Sequence, residues 1–105
     1  MEFIETPTFT RLVLGLMADE NYGKLQASLA NHPEAGKIIP GSGGIRKMRW
    51  AGIGRGKRGG LRVIYYWQMS QQQIWMLAIY AKNVKDDLSK SEIKQLKQLV
   101  EEFER

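Results

Sequence analysis

Residues 61–81 read LRVIYYWQMSQQQIWMLAIYA and carry the strongest strand signal in the chain. The two outer parts, residues 61–68 and 73–81, are rich in β-branched and aromatic side chains, which favour strands. The polar residues 69–72 between them are typical of a hairpin turn. The stretch therefore predicts two antiparallel strands joined by a short turn.

A further strand is expected upstream of this hairpin. Residues 45–50 read IRKMRW and are followed by the glycine-rich basic stretch 51–60, which predicts a strand and then a loop. If that loop returns the chain antiparallel, the two strands on its sides lie next to each other in one sheet.

Helices are predicted on both sides of these strands. Thr6, which precedes a proline, suits the N-cap of a first helix, and Asp19 is expected to cap a second one. Residues 89–92 read SKSE, a capping-box spacing that begins a C-terminal helix. With a short strand at residues 1–5, the predicted order is β-α-α-β-β-β-α. We therefore expect an α+β fold, in which a small antiparallel β-sheet carries two N-terminal helices and a C-terminal helix in a single domain of residues 1–105.

Charge is distributed unevenly along the chain. The net charge is +5, but residues 35–85 contain ten basic residues and no acidic residue, whereas the flanks together hold six basic and eleven acidic residues. Such a segment favours a negatively charged partner. The alternative is a solvated basic surface. A polyanion is favoured because the basic residues fall in strand-like sequence and not in one flexible tail.

Several functional classes are disfavoured by composition. No apolar run approaches the roughly 20 residues that cross a bilayer, and residues 1–5, MEFIE, do not resemble a signal peptide. The chain has no cysteine, and its single histidine, His32, is expected at a helix end as a surface or capping residue. We therefore expect a cytoplasmic protein that uses no membrane, metal or cofactor.

Two phosphate-loop patterns nearly match and fail. Residues 51–58, AGIGRGKR, have alanine in place of the first Walker A glycine and arginine in place of the magnesium-binding serine or threonine. Residues 41–46, GSGGIR, lack the third glycine of a dinucleotide turn. The acidic residues lie outside residues 35–85, mostly on predicted helix surfaces, which argues against a pair of catalytic carboxylates.

The strand alternation gives a more specific pattern. Lys47 and Arg49 share one face of their strand, and antiparallel pairing places Arg62 across from them, on the same surface as the Tyr66 ring. Such a surface suits the phosphates and unstacked bases of single-stranded RNA, although basic residues are also common on solvated sheet faces. The adjoining loop adds three basic residues, Arg55, Lys57 and Arg58.

Four motifs in order point to a known family. They are residues 41–49 (GSGGIRKMR), 54–60 (GRGKRGG), 62–66 (RVIYY) and 79–83 (IYAKN). Together they resemble the HigB branch of the RelE-like toxins of type II toxin–antitoxin systems. The resemblance covers about residues 31–96, and the predicted order of elements agrees over the whole chain.

The resemblance implies a metal-independent, ribosome-dependent mRNA endoribonuclease. Such toxins cleave the messenger in the ribosomal A site, where the RNA 2′-hydroxyl attacks the adjacent phosphate. The implied partners are mRNA on the ribosome, ribosomal RNA and a cognate antitoxin protein with a helix-turn-helix domain. The implied catalytic residues are Lys47, Arg49, Arg62 and Lys82. The expected RNA-binding residues are Arg46, Arg55, Lys57, Arg58, Tyr66 and Tyr80.

The sequence departs from the family pattern at one place and leaves alternatives open. Some RelE-type toxins stack a tyrosine of the final helical segment on the target base, but residues 86–89 contain none. Either Tyr66 or Tyr80 substitutes for it, or the HigB branch manages without a stacking tyrosine. The main alternative is a non-catalytic RNA- or ribosome-binding module that uses the same basic face. A third interpretation is a DNA-associated regulator.

Overall fold

The apolar hairpin lies in the middle of a sheet in the computed structural model, which describes residues 1–51 and 60–104. The elements of these residues are β1 (Glu2–Glu5), α1 (Pro7–Leu16), α2 (Asp19–Asn31), β2 (Lys37–Ile38), β3 (Ile45–Trp50), β4 (Leu61–Gln68), β5 (Gln73–Ala81) and α3 (Lys90–Glu104). None of these helices combines the length and the apolar character needed to cross a bilayer.

The strands lie side by side in the order β1-β5-β4-β3-β2. Neighbours from β2 to β5 pair antiparallel, whereas β1 pairs parallel with β5. The predicted α+β class and order are confirmed, and two features add to them. The sheet is mixed and not purely antiparallel, since β1 is parallel to β5. The sequence did not predict this direction, because a strand as short as β1 carries no signal for it. The two-residue β2 is also too short to produce an alternation.

The helix starts follow the local sequence closely. The Thr6 side chain accepts a hydrogen bond from the Phe9 N–H at 3.0 Å, which confirms Thr6 as the N-cap of α1. The expectation for Asp19 was wrong by one position: Ala18 is the N-cap of α2, without a side-chain cap, and Asp19 is the first helical residue. Its negative charge still suits that position, because the helix dipole is positive there.

The first face of the sheet is covered by α1 and α2. Phe9 of α1 and Leu25 of α2 are fully buried against the sheet residues Val63, Tyr65 and Met76. The inward residues of β4 and β5 supply most of the sheet side of this core, because side chains alternate between faces along a strand.

The second face of the sheet is covered by α3 over part of its area. Val100 of α3 packs with Ile64, Trp75 and Leu77, and α3 contributes Ile93 as a half-buried neighbour. The remainder of this face is basic and lines a cleft, as described next.

Candidate functional site

A row of side chains crosses the second face of the sheet next to the area that α3 covers. Arg49 is the register partner of Arg62, and Arg62 is the partner of Tyr80 on β5. Residues paired in this way point to the same face, so the three side chains share one surface. Lys47 belongs to the adjacent row, opposite Ile64. The structure thus brings Lys47, Arg49 and Arg62 onto one face, as the alternation predicted.

These residues line a cleft of about 520 Å³. Five of its lining residues are basic and two are acidic. The lining residues are Ala35, Lys37, Lys47, Met48, Arg49, Arg62, Lys82, Asp86 and Asp87. A concave surface with this excess of positive charge attracts anions more strongly than isolated surface lysines do.

Arg62 is the most deeply buried cation of the cleft. Only 7% of its surface is exposed, and its Nη1 donates a long hydrogen bond of 3.4 Å to the carbonyl of Leu61. Taking a guanidinium out of water is costly, so a nearly buried arginine on the wall of an open cleft makes this wall a candidate anion site. Arg49, its partner on β3, is exposed.

Two of the three lysines that line the cleft contact a carboxylate. Lys47 Nζ donates to Asp87 Oδ1 at 3.0 Å, and Lys82 forms an ion pair with Asp86. The hydrogen bond from Lys47 and the one from the Leu88 N–H hold the pKa of Asp87 below its usual range. Both carboxylates lie in the connection between β5 and α3.

Tyr80 closes the row on the β5 side. Its hydroxyl group is buried near the Asp87 carboxylate but makes no hydrogen bond of ordinary geometry within the described residues. Burial raises the pKa of Tyr80 to about 12, and the charge of Asp87 adds to the shift. The hydroxyl is therefore protonated at neutral pH and can act as a hydrogen-bond donor.

Lys37 enters the cleft because the segment before it lies close to the sheet. It is the register partner of Lys47. Gly36 donates from its N–H to the Tyr65 hydroxyl at 2.8 Å, and a Cβ at that position would lie 2.9 Å from the Tyr65 ring. Arg46, the register partner of Tyr65, donates to the Gly36 carbonyl at 2.7 Å and adds a second contact to this segment.

Other predicted residues lie apart from the cleft. Arg46 points to the opposite face, because its register partner is Tyr65. Tyr66 lies four residues along β4 from Arg62, roughly 13 Å away, and packs on the Trp75 ring at 5.4 Å. Burial, with a further contribution from Glu104, raises the pKa of Tyr66. The loop residues predicted to bind RNA lie outside the described residues: Arg55, Lys57 and Arg58.

Sequence reasoning missed three charged lining residues: Lys37, Asp86 and Asp87. In the sequence, Lys37 was distinguished only as one of the ten basic residues within residues 35–85. Asp86 and Asp87 end that span, and the expectation that acidic residues lie mostly on helix surfaces does not hold for them. Across residues 1–51 and 60–104, no His, Cys, Asp and Glu side chains group as metal ligands, and His32 is a largely exposed residue at the end of α2.

The fold and the cleft together define a small α+β protein with a predominantly basic cleft on one face of its sheet. The family model described as the RelE toxin of the RelE/RelB toxin–antitoxin system matches residues 27–105. The chain therefore belongs to the RelE toxin family. Its assignment to the HigB branch stays a prediction.

Two solved structures share the fold at low sequence identity. A chain of the intact E. coli RelBE toxin–antitoxin complex is 15% identical, with a TM-score of 0.57 over 74% of this chain and 92% of that chain. An arginine double mutant of E. coli toxin RelE in the free state is 13% identical, with a TM-score of 0.63 over 90% of this chain and 94% of that chain.

Proposed function

We propose that this toxin is a ribosome-dependent endoribonuclease that cleaves translated mRNA in the ribosomal A site. The observation that carries the proposal is the cross-strand pair Arg49 and Arg62, flanked by Lys47 and Lys82 in one cleft. Membership of the RelE toxin family supports the same activity.

The proposed reaction is a transfer within the RNA strand. The 2′-oxygen attacks the adjacent phosphorus, the bond from phosphorus to the 5′-oxygen breaks, and a 2′,3′-cyclic phosphate and a 5′-hydroxyl result. The 2′-hydroxyl loses a proton and the leaving oxygen gains one, so the reaction needs groups that transfer protons. It also needs cationic side chains that stabilise the negative charge of the phosphorane oxygens. Arg49 and Arg62 supply charge that is not lost by deprotonation, since arginine keeps its proton in proteins. Lys47 and Lys82 hold the flanking phosphate oxygens.

RNA contacts outside the reacting phosphate are assigned to neighbouring residues. Tyr80 donates a hydrogen bond or packs against the RNA at the end of the arginine row. The basic loop residues Arg55, Lys57 and Arg58 contact the backbone of the strand, and Tyr66 stacks on a more distant base. Arg46 serves the site indirectly, because it holds Gly36 and hence the segment that leads to Lys37.

The proposal includes a partner protein and a location. The E. coli relative was solved as a toxin–antitoxin complex, which supports a cognate antitoxin for this chain as well. Ribosomal mRNA as substrate implies a cytoplasmic location.

The test is regulated expression in bacteria, followed by primer extension along a messenger that is made in two forms. One form is translated, and the other lacks its start codon and ribosome-binding site. New 5′ ends within the coding region of the translated form, absent from the other, are expected. Growth arrest without new ends would instead indicate a non-catalytic RNA- or ribosome-binding module. Equal cleavage of both forms would contradict the ribosome requirement.

A further inference from the structure

The connection between β5 and α3 brings two carboxylates to the basic cleft. Asp86 and Asp87 follow directly after a segment that contains no acidic residue from position 35 to position 85. Both line the same cleft as Arg49 and Arg62. Their side chains are 89% and 58% exposed, so they lie at the surface of the cleft and not beneath it.

The two carboxylates engage two different lysines. Lys47 Nζ donates to Asp87 at 3.0 Å, and Lys82 Nζ donates to the Asp86 carboxylate and to its backbone carbonyl. A carboxylate oxygen and a phosphate oxygen accept the same kind of charge-assisted hydrogen bond from an ammonium group. RNA that enters the cleft therefore competes with Asp86 and Asp87 for the donors of Lys47 and Lys82.

The connection is anchored at both ends, which keeps the carboxylates in place. At its start, the Lys82 N–H donates to the Gly60 carbonyl at 3.1 Å. At its end, Ser89 and Glu92 exchange capping-box hydrogen bonds of 2.8 and 3.1 Å. Between these points, Asp87 also accepts from the Leu88 N–H at 2.8 Å, which fixes the direction of its side chain.

We propose that Asp86 and Asp87 are built-in competitors for RNA phosphate at Lys47 and Lys82 and set the selectivity of the cleft. The inference rests on the proposed function. Exposed ion pairs of this kind are weak, so the carboxylates raise the threshold for binding without closing the cleft. Free RNA binds weakly for this reason, whereas a messenger held in place by the ribosome meets the cleft at a high effective concentration and displaces the carboxylates.

The test compares the double variant Asp86→Asn/Asp87→Asn with the wild type. Asparagine keeps the side-chain oxygen that accepts from Leu88 and removes only the charge. Affinity for a fluorescent single-stranded RNA is measured by anisotropy over a range of salt concentrations. We expect binding on the order of 2- to 30-fold tighter, from two exposed ion pairs. The salt dependence should also become steeper, by up to about 0.7 in log–log slope for each lysine released to a phosphate.

The control is Glu101→Gln/Glu102→Gln, which makes the same change in net charge at two exposed positions of α3. An equal gain in this control would attribute the effect to net charge and overturn the proposal, as would an asparagine variant that gains affinity for neither RNA nor inorganic polyphosphate. If the double variant does not fold, Asp86→Asn alone releases Lys82 without affecting the Leu88 contact and should still bind RNA about 2- to 5-fold more tightly.

A second probe, inorganic polyphosphate, separates this proposal from the proposed function. Tighter binding of polyphosphate but not of RNA by the asparagine variant would support the competing carboxylates and contradict RNA as the substrate. Unchanged binding of both probes would overturn the carboxylate proposal. In that case RNA binding that is lost on Arg62→Ala would still support the proposed function. Failure of every variant to bind either probe would overturn both.

Discussion

Arg62 is the residue on which the proposed chemistry depends most. It is 7% exposed, pairs in register with Arg49 and lines the cleft. We expect Arg62→Ala to abolish toxicity and leave the fold intact, because charge stabilisation of the phosphorane is lost, worth on the order of 3 kcal/mol or more. Primer extension on a translated messenger measures cleavage, and circular dichroism checks the fold.

The matched control for Arg62→Ala is Arg11→Ala, which removes an exposed arginine of α1. This control should retain wild-type cleavage at equal expression. A folded Arg62→Ala variant that still arrests growth like the wild type would remove Arg62 from the site.

Tyr80 has a buried hydroxyl that lowers stability, and its side chain lies in the same cross-strand row as Arg49 and Arg62. Its buried hydroxyl makes no hydrogen bond of ordinary geometry among the described residues, and such a group costs stability of about 1–3 kcal/mol. We expect Tyr80→Phe to melt at the wild-type temperature or higher and to cleave the messenger more slowly, because the proposed function has the Tyr80 side chain donate a hydrogen bond to RNA. Thermal unfolding tests the expected melting temperature, and primer extension tests the expected loss of cleavage. Wild-type cleavage by a stable Tyr80→Phe would show that the hydroxyl has no role in RNA recognition.

Site residues could be predicted where their position follows from a local sequence pattern, and not where it depends on contacts between distant parts of the chain. The period-2 alternation of a strand is local, so Lys47, Arg49 and Arg62 could be placed on one face from sequence alone. Asp86 and Asp87 could not, because their position depends on the path of an irregular connection over the sheet. Arg46 is basic like Lys47 and Arg49 beside it, and only its register with Tyr65 shows that its side chain points to the opposite face of the sheet.

At the level of elements, the two long and strongly patterned strands of the hairpin were predicted with their bounds, β1 was predicted without its direction, and β2 was not predicted. β4 and β5 were predicted with the bounds that the structure has, since β-branched, aromatic and aliphatic residues dominate both strands. β1 and β2, of four and two residues, lack that signal. Their partners are determined by packing far away in sequence, which a local pattern does not contain.

The start of α3 is an element whose stability depends on pH. Glu92 accepts a hydrogen bond from Lys85 and one from the Ser89 N–H, and these contacts hold the pKa of Glu92 below its usual value. A carboxyl whose pKa is lower in the folded state stabilises the protein above its unfolded pKa, and this contribution is lost as the pH falls through the folded pKa. The side chain is 39% exposed, so the contribution is below about 1 kcal/mol.

We therefore expect Glu92→Gln to lower the free energy of unfolding at pH 7 and to match the wild type in acid, below the lowered pKa of Glu92. Urea unfolding at the two pH values measures the difference, and Glu101→Gln on the exposed side of α3 is the control. A deficit of equal size at both pH values would show that the carboxylate charge is not what stabilises the start of α3.

At the scale of the whole molecule, the two faces of the sheet differ in how much of their area forms hydrophobic core and how much forms the basic cleft. The face under α1 and α2 holds the larger core, whereas the face under α3 combines a smaller core with the basic cleft. This division explains why the stabilising residues and the candidate site can occupy the same strands: alternate positions of β3 and β4 point to opposite faces. Substitutions on the cleft side should therefore change RNA binding more than folding.

The same division predicts how an antitoxin would bind. The cleft attracts an acidic chain, and α3 adds an apolar contact at Phe103, which is 58% exposed and stacks edge-on against Trp75. We expect a protein encoded beside this gene to bind the toxin and relieve growth arrest, either by covering Lys47, Arg49 and Arg62 or by blocking entry to the ribosome. Co-expression with each neighbouring reading frame, followed by pull-down at low and high salt, is the measurement. Binding that weakens with salt and with Arg49→Ala indicates the cleft, and binding that weakens with Phe103→Ala alone indicates α3. If no neighbour binds or relieves the arrest, the proposed antitoxin is wrong, even where the RNA-binding cleft is supported by its own tests.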